Sequence, residues 1–327
     1  VSALKLVFFG SDPIAIPLLD WLAGIGRSTA GIVGVFTQPD RPMGRGQRIT
    51  PNAIKLWATE RGIPVYQPLK ITEDVRAVLA AMSPDLSLVM AYGHILKDDF
   101  IATPRLGTLN LHTSLLPKYR GASPIQTAIA NGEKETGVTL MRIVRELDAG
   151  PIADVEKVAI AMDDTALDVE AKLAAGCVPL IARNLPKLAA GALAFTEQVH
   201  TEASFCRKLL KNDGALDFSR PAVELAARIN GLFPWPACAV DIQGIPIKFG
   251  QADAVAGAGQ PGIVAGHDET GLLIATSEGL LRIQRLQKPG GRMLPAGEFL
   301  RGWAIAPGTT IASVAMPALV GNAPFRR

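Results

Sequence analysis

The sequence predicts an α/β chain in which a doubly wound, mostly parallel sheet is followed by a smaller β-barrel. Over roughly the first 190 residues, short wholly apolar runs alternate with stretches whose apolar positions recur at helical spacing, as in a parallel sheet covered on both faces. From about residue 191 the texture changes to short apolar runs punctuated by Gly and Pro, spaced like the strands of a small barrel. The length of 327 residues suggests about two domains at roughly 150 residues each.

In order, LKLVFFG (4–10) is an apolar run closing on Gly10, and IPLLDWLAGIG follows with helical periodicity. GIVGVFT, helix-like NAIKLWATERG, short IPVYQP and helix-like DVRAVLAAM lead to LSLVMAYG. GTLNLHT, TGVTLMRI and ADVEKVAI continue the strands, and TALDVEAKLAAGCVPLIARNLPKL reads as a long closing helix. The expected boundaries are a first domain over 1–190, a linker over 191–208 and a barrel over 209–327. In that last part CAVDIQG, IPIKFG, GIVAG, GLLIAT and GLLRIQRL are strand-like and AVELAARINGL is a helix; FPWPA follows it, with Trp235 expected in the core.

Composition removes several classes. With 48% hydrophobic and 19% charged residues the chain is neither disordered nor a charged tail. Its mean hydropathy of +0.24 raises a membrane question, but no run approaches the roughly 18 uncharged apolar residues of a spanning helix. Asp12, Pro13, Pro17 and Asp20 interrupt LVFFGSDPIAIPLLDWLAG too often for a secretory h-region. Cys177, Cys206 and Cys238 are odd in number and far apart, which suggests neither a disulfide framework nor a zinc site; a reducing cytoplasm is the expected compartment. Lys and Arg number 20 against 21 acidic residues through Phe205, and 13 against 9 from Cys206 onward, so the positive excess lies in the C-terminal third. Such an excess suits an anionic partner, although four charges also fit a plain solvated surface.

The first strand ends in GSDPIA, one glycine where a dinucleotide fingerprint needs three, and the chain has no Walker loop, H-E-x-x-H or G-x-S-x-G. The densest polar stretch is GTLNLHTSLLPKYRG (107–121). There Asn110 and His112 alternate with Leu109 and Leu111, so both polar side chains leave one face of a strand. Alone, such a pair fits a structurally satisfied strand as well as a catalytic one. Cationic Lys118 and Arg120 follow in the loop, and Asp148, in RELDAGP after TGVTLMRI, sits at a second strand-to-loop junction. Asn, His and Asp could converge there. Ser114 lacks the glycine elbow of a nucleophile.

HTSLLPKYRGASPIQTAIANGEKETGVTLMRI, VFTQPDRPMGRGQ, VMAYGHIL and LDAGPI, with ARINGLFPWPACA and LQKPGGRML further on, closely resemble the methionyl-tRNA formyltransferase family over nearly the whole chain. The strand motif is common to all 10-formyltetrahydrofolate-dependent formyltransferases, whereas the N-terminal loop and the C-terminal domain favour the tRNA enzymes. The resemblance implies a Rossmann-like catalytic domain with an OB-like barrel. It also implies transfer of the formyl group of 10-formyltetrahydrofolate to the amino group of methionyl initiator tRNA through a tetrahedral intermediate, with no metal, by a cytoplasmic monomer.

On that resemblance Asn110 and His112 stabilise the oxyanion, and Asp148 orients the imidazole and assists proton transfer. The folate lies against Leu88, Val89, Met90, Ala91, Tyr92, Gly93 and Ile95, with Ser114, Leu115, Leu116 and Pro117 alongside; His94 occupies a variable position. Arg41, Arg45 and Arg48 reach the acceptor end of the tRNA, and Lys208, Lys211, Arg282, Arg285, Lys288 and Arg292 meet its backbone. Two departures stand beside the aspartate: Glu146 replaces a glycine, and Pro151 replaces an acidic residue and lacks a backbone donor. The alternatives are a formyltransferase for amino sugar nucleotides and an RNA-binding relative with a decayed site.

Overall fold

The structure is a computed structural model and describes residues 3–43 and 46–325. In chain order the first elements are β1 (Leu4–Gly10), α1 (Ile16–Ala23), β2 (Ala30–Phe36), the antiparallel pair β3 (Arg41–Met43) and β4 (Arg48–Thr50), α2 (Ala53–Glu60), β5 (Val65–Tyr66), α3 (Glu73–Ala81) and β6 (Leu86–Met90). Then come α4 (Asp98–Ile101), β7 (Thr108–His112), short β8 (Arg120–Gly121), α5 (Pro124–Ala130), β9 (Glu135–Arg142), β10 (Ile152–Ala159) and α6 (Ala166–Ala189). The remainder is β11 (Phe205–Cys206), α7 (Ala222–Leu232), β12 (Cys238–Ile242), β13 (Ile245–Val255), β14 (Val264–His267), β15 (Leu272–Ala275), β16 (Leu280–Gln287), β17 (Leu294–Pro295), α8 (Ala296–Gly302) and β18 (Val320–Gly321). Among the described residues no helix is long and apolar enough to cross a membrane.

Two compact units share the chain. One takes the chain up to Arg120 with Gly137–Val158 and Ala171–Ala203; the other takes Gly121–Thr136, Ala159–Glu170 and everything from Ser204. The units therefore interleave in sequence, whereas the change of texture suggests a linear division near residue 190.

The first unit is built on a seven-stranded sheet of order β10-β9-β7-β6-β1-β2-β5. Strand β1 is central, with parallel neighbours β2 and β6, and Leu6, Val7, Phe8 and Phe9 have no exposed surface because both faces are covered. Helix α1 buries Leu18, Leu19 and Leu22, the apolar stripe its spacing predicts. Phe9 stacks on Phe36 at 4.7 Å between ring centres and meets the rings of Tyr92 and Phe100 edge-on. This aromatic cluster underlies the carboxyl ends of the parallel strands, where register aligns Gly10 with Met90 and Val89 with Asn110. Strand β9 then runs antiparallel to β7, pairing Asn110 with Met141 and His112 with Thr139.

The second unit holds a curled antiparallel sheet of order β12-β13-β16-β15-β14, with β17 on β16: a half-barrel rather than a closed one. Strand β13 carries a register shift against β16 between Phe249 and Ala252, and the Asn230 side chain binds the backbone just after it. Its amide donates to the Ala252 carbonyl at 2.9 Å while its oxygen accepts from the Ala252 N–H at 2.9 Å, satisfying both backbone groups of that residue. Helix α7 turns Leu225, Ile229 and Leu232 into a core with Phe249, Ile283, Leu286 and Phe299. Gly231 is needed there because a Cβ would lie 2.5 Å from the Ala130 nitrogen of α5. Trp235 corrects an expectation: it is 58% exposed. Pro234 and Pro236 can extend neither α7 nor β12, so the ring sits in the turn between them. The thiols of Cys177 and Cys238 are fully buried, and burial pushes each up to about 12.

A buried ion pair fastens the long C-terminal segment of the second unit near its start. Asp213 is fully buried, accepts from Arg207 at 2.7 and 2.5 Å, and takes the Leu210 N–H at 2.6 Å. Burial alone would raise its pKa, but the Arg207 and Leu210 hydrogen bonds outweigh it and hold the carboxyl below its ordinary value. A carboxyl with a depressed native pKa stabilises the fold above its unfolded value, near pH 4, and that stabilisation is lost as pH falls through the native value. Thermal midpoints measured downward from pH 6 should therefore fall steeply below about pH 4, and Asp213→Asn should start lower and show a flatter acid limb.

Candidate active site

Strand β7 delivers the polar pair as its alternation predicts, with His112 buried and Asn110 half-buried on the same face. The loop after it folds back onto the imidazole. His112 Nε2 lies 2.9 Å from the carbonyl oxygen of Tyr119, and since a carbonyl only accepts, Nε2 carries the proton. Tyr119 adopts φ +59°, an uncommon conformation for a side-chain-bearing residue, in presenting that carbonyl. Nδ1 is left facing Asp148, whose Oδ2 is 3.8 Å away, too far for a direct hydrogen bond. The expected convergence of His112 and Asp148 is thus present.

The loop is stapled from within. Ser114 is fully buried and donates to the Lys118 carbonyl at 2.7 Å. Thr139 donates to the Ser114 carbonyl at 2.6 Å and accepts from the Leu116 N–H at 3.2 Å. Leu116 is buried and Leu115 and Pro117 are half-buried, so this segment presents a mostly apolar surface. On the acidic side, Glu146 is exposed and the Pro151 carbonyl accepts the Arg142 N–H at 3.0 Å. Gly150 admits no side chain, for a Cβ there would stand 2.0 Å from the Arg142 carbonyl oxygen.

Leu88, Val89 and Met90 are buried in β6, whereas Ala91, Gly93 and Ile95 are exposed beyond its end. Ala91 and Gly93 have φ of +49° and +80°, turning the chain sharply at the sheet edge. The Tyr92 hydroxyl and His94 Nε2 are buried with no hydrogen-bond partner among the described residues. Burial holds the Tyr92 hydroxyl above its ordinary pKa, so it remains a donor. Tyr92 itself packs in the apolar cluster of Val7, Phe9, Phe36 and Phe100. A network not anticipated from the sequence fixes the same edge. Gln38 donates to the Tyr92 carbonyl at 3.0 Å, Asn52 donates to the Gln38 carbonyl at 3.0 Å, and Asn52 also caps α2 through Lys55 N–H. Only the Asn before a helical run was a visible signal for any of these.

The cations named as nucleic-acid contacts fall into groups. Arg41 and Arg48 are exposed on β3 and β4, Arg41 donating to Gln38 at 2.8 Å; Arg45 lies outside the described residues. Lys208, Lys211, Arg285 and Arg292 are exposed. Arg282 pairs with both Asp253 and Asp268, and Lys288 lies 4.5 Å from the Trp303 ring centre. Among the described residues no three His, Cys, Asp or Glu side chains gather as a metal site.

The chain, a doubly wound sheet followed by an antiparallel half-barrel, belongs to the formyl transferase family, whose model matches residues 4–181. The model of the family's C-terminal domain matches residues 208–304. The methionyl-tRNA formyltransferase of Ectopseudomonas mendocina (strain ymp) is 40% identical over 95% of this chain and 99% of its own. That of Parvibaculum lavamentivorans is 39% identical over 94% and 100%. Among solved structures, the sugar 3N-formyl transferase WlaRD, crystallised in the presence of dTDP and 5-N-formyl-THF, superposes with a TM-score of 0.66 at 20% identity, covering 88% of this chain and 99% of that one.

Asn52 tests the network at the sheet edge. Asn52→Ala removes the cap of α2 and the donor to Gln38, and urea unfolding should show a loss of about 1–2 kcal/mol.

Proposed function

We propose that this chain formylates the amino group of methionyl initiator tRNA, with 10-formyltetrahydrofolate as donor, as a cytoplasmic monomer. The observation that carries the reading is the facing of His112 Nδ1 and Asp148 at the end of β7, beside Asn110, in a chain similar along both its domains to methionyl-tRNA formyltransferases. Leu88–Gly93, Ile95 and Ser114–Pro117 would hold the folate, the exposed turn at Ala91 and Gly93 offering backbone groups to its polar ring edge. When bound there, 10-formyltetrahydrofolate supplies the electrophilic formyl carbon.

Asn110 donates its amide N–H to the formyl oxygen as negative charge develops on it. With Nε2 committed to Tyr119, His112 works through Nδ1, which once protonated donates beside Asn110. The proton shed by the attacking amine passes to Nδ1, directly or through one water; Asp148, still a carboxylate opposite that nitrogen, orients the imidazole and stabilises the imidazolium so formed, and the proton then leaves with the departing amine nitrogen of the donor. Arg41, Arg45 and Arg48 align the acceptor end, while exposed Lys208, Lys211, Arg285 and Arg292 meet phosphates without regard to base. Arg282 and Lys288, already engaged by two aspartates and an indole, contribute less.

The decisive assay supplies 10-formyltetrahydrofolate with either methionyl initiator tRNA or an amino sugar nucleotide and follows formylated product. Formylation of the sugar alone would move the reading to a small-substrate enzyme. Asn110→Ala, His112→Ala and Asp148→Asn should each lower kcat by about 10²-fold or more, with folate binding little changed. Near-parental turnover in any one removes the role given to that residue. Arg285→Ala with Arg292→Ala should raise KM for tRNA and reduce the slope of log binding against log salt by about one unit for each phosphate no longer neutralised. Arg282→Ala should chiefly lower the thermal midpoint.

A further inference from the structure

Asp148 has φ +49°, in the left-handed region. Its carbonyl is held by Gln198, 50 residues away in sequence and only 5% exposed. Its Nε2 donates to the carbonyl oxygens of both Asp148, at 2.9 Å, and Gly150, at 2.7 Å, so one amide group holds the loop on either side of Ala149. The orientation of that amide is itself set. Gln198 Oε1 accepts from Arg120 Nε at 3.2 Å and Nη2 at 2.6 Å, and a guanidinium cannot accept, so Nε2 must point at the two carbonyls.

Arg120 is 4% exposed, and His200 Nδ1 lies 3.1 Å from its Nη2. Burial lowers the pKa of this guanidinium, with the charges of Asp148 and Glu146 opposing that shift. Arg120 directly follows Tyr119, the residue whose carbonyl fixes His112. Neighbouring residues of one loop therefore hold the two partners across the 3.8 Å gap: Tyr119 directly on the imidazole, and Arg120 through Gln198 on the backbone of Asp148.

We propose that Gln198, oriented by Arg120, is a positioning residue that sets where the Asp148 carboxylate stands relative to His112 and thereby sets kcat. This rests on the reading of His112 and Asp148 as the catalytic pair. The hydrogen bonds of Gln198 run to Arg120, Asp148 and Gly150, so its effect passes through Asp148, and alignment on the scale of an ångström is worth as much as about 10²-fold in rate.

The test uses the full-length enzyme with Gln198→Leu, Gln198→Glu and the combination of Gln198→Leu with Asp148→Asn, in steady-state assays. Glutamate keeps an oxygen for Arg120 but at neutral pH has no N–H for the two carbonyls, and it changes the volume little, so it separates loss of the clamp from loss of folding. Both single variants should lose about 10- to 100-fold in kcat, with KM for folate and tRNA within about twofold of the parent. In the Asp148→Asn background, Gln198→Leu should cost less than about twofold more, because residues acting through one another do not add. A Gln198→Glu enzyme with parental kcat, or a Gln198→Leu loss of undiminished size in the Asp148→Asn background, overturns the proposal. The catalytic-pair reading is judged separately in the same series: full activity of Asp148→Asn and His112→Ala would sink it, and the proposal with it.

Discussion

The imidazole of His112 has one nitrogen committed before any substrate arrives, and the chemistry of the site is arranged around that fact. A histidine at the end of an otherwise apolar strand must have a partner or bear the cost of an orphaned polar group. The Tyr119 carbonyl takes Nε2, which fixes the tautomer and turns Nδ1 toward Asp148. For the carbonyl to be there, the loop from Thr113 must curl back tightly, which the bonds among Ser114, Thr139 and Leu116 accomplish. Antiparallel β9 is part of the same constraint, because it carries Thr139 opposite His112 and leads into the acidic loop.

The sheet and its helices were legible because they obey local rules. LKLVFFG and LSLVM are wholly apolar and become central buried strands, and the stripe of α1 faces inward at the expected spacing. Asn110 and His112 were legible as a pair because strand alternation is also local. What could not be read depends on partners remote in sequence. Gln198 lies in a stretch whose polarity suggests a linker, and its bonds run to Asp148, Gly150 and Arg120. Gln38 likewise reaches Tyr92 across 54 positions. A glutamine carries no sign of whether its amide will be spent on water or on a distant carbonyl.

The same contrast runs through the second unit. Counting charges shows a positive excess, but pairing is a property of the folded sheet. Arg282 finds Asp253 on the neighbouring strand β13 and Asp268 in the turn after β14, so its charge is answered locally. Trp235 illustrates the opposite error, in which a large aromatic ring suggests a core residue although it stands exposed in the turn between α7 and β12. Asn230, unremarkable in sequence, takes both backbone groups of Ala252 on β13.

The buried thiols make each unit its own reporter. Cys177 belongs to the first unit and Cys206 and Cys238 to the second; all three are buried and none forms a disulfide. With Cys177 and Cys238 pushed up to about 12, almost no thiolate exists at neutral pH, and alkylating reagents have nothing to attack until the surrounding core opens. The rate at which Cys177 is labelled measures opening of the doubly wound sheet, and that of Cys238 measures opening of the half-barrel. Two clocks on one chain can thus tell whether its units breathe together or apart.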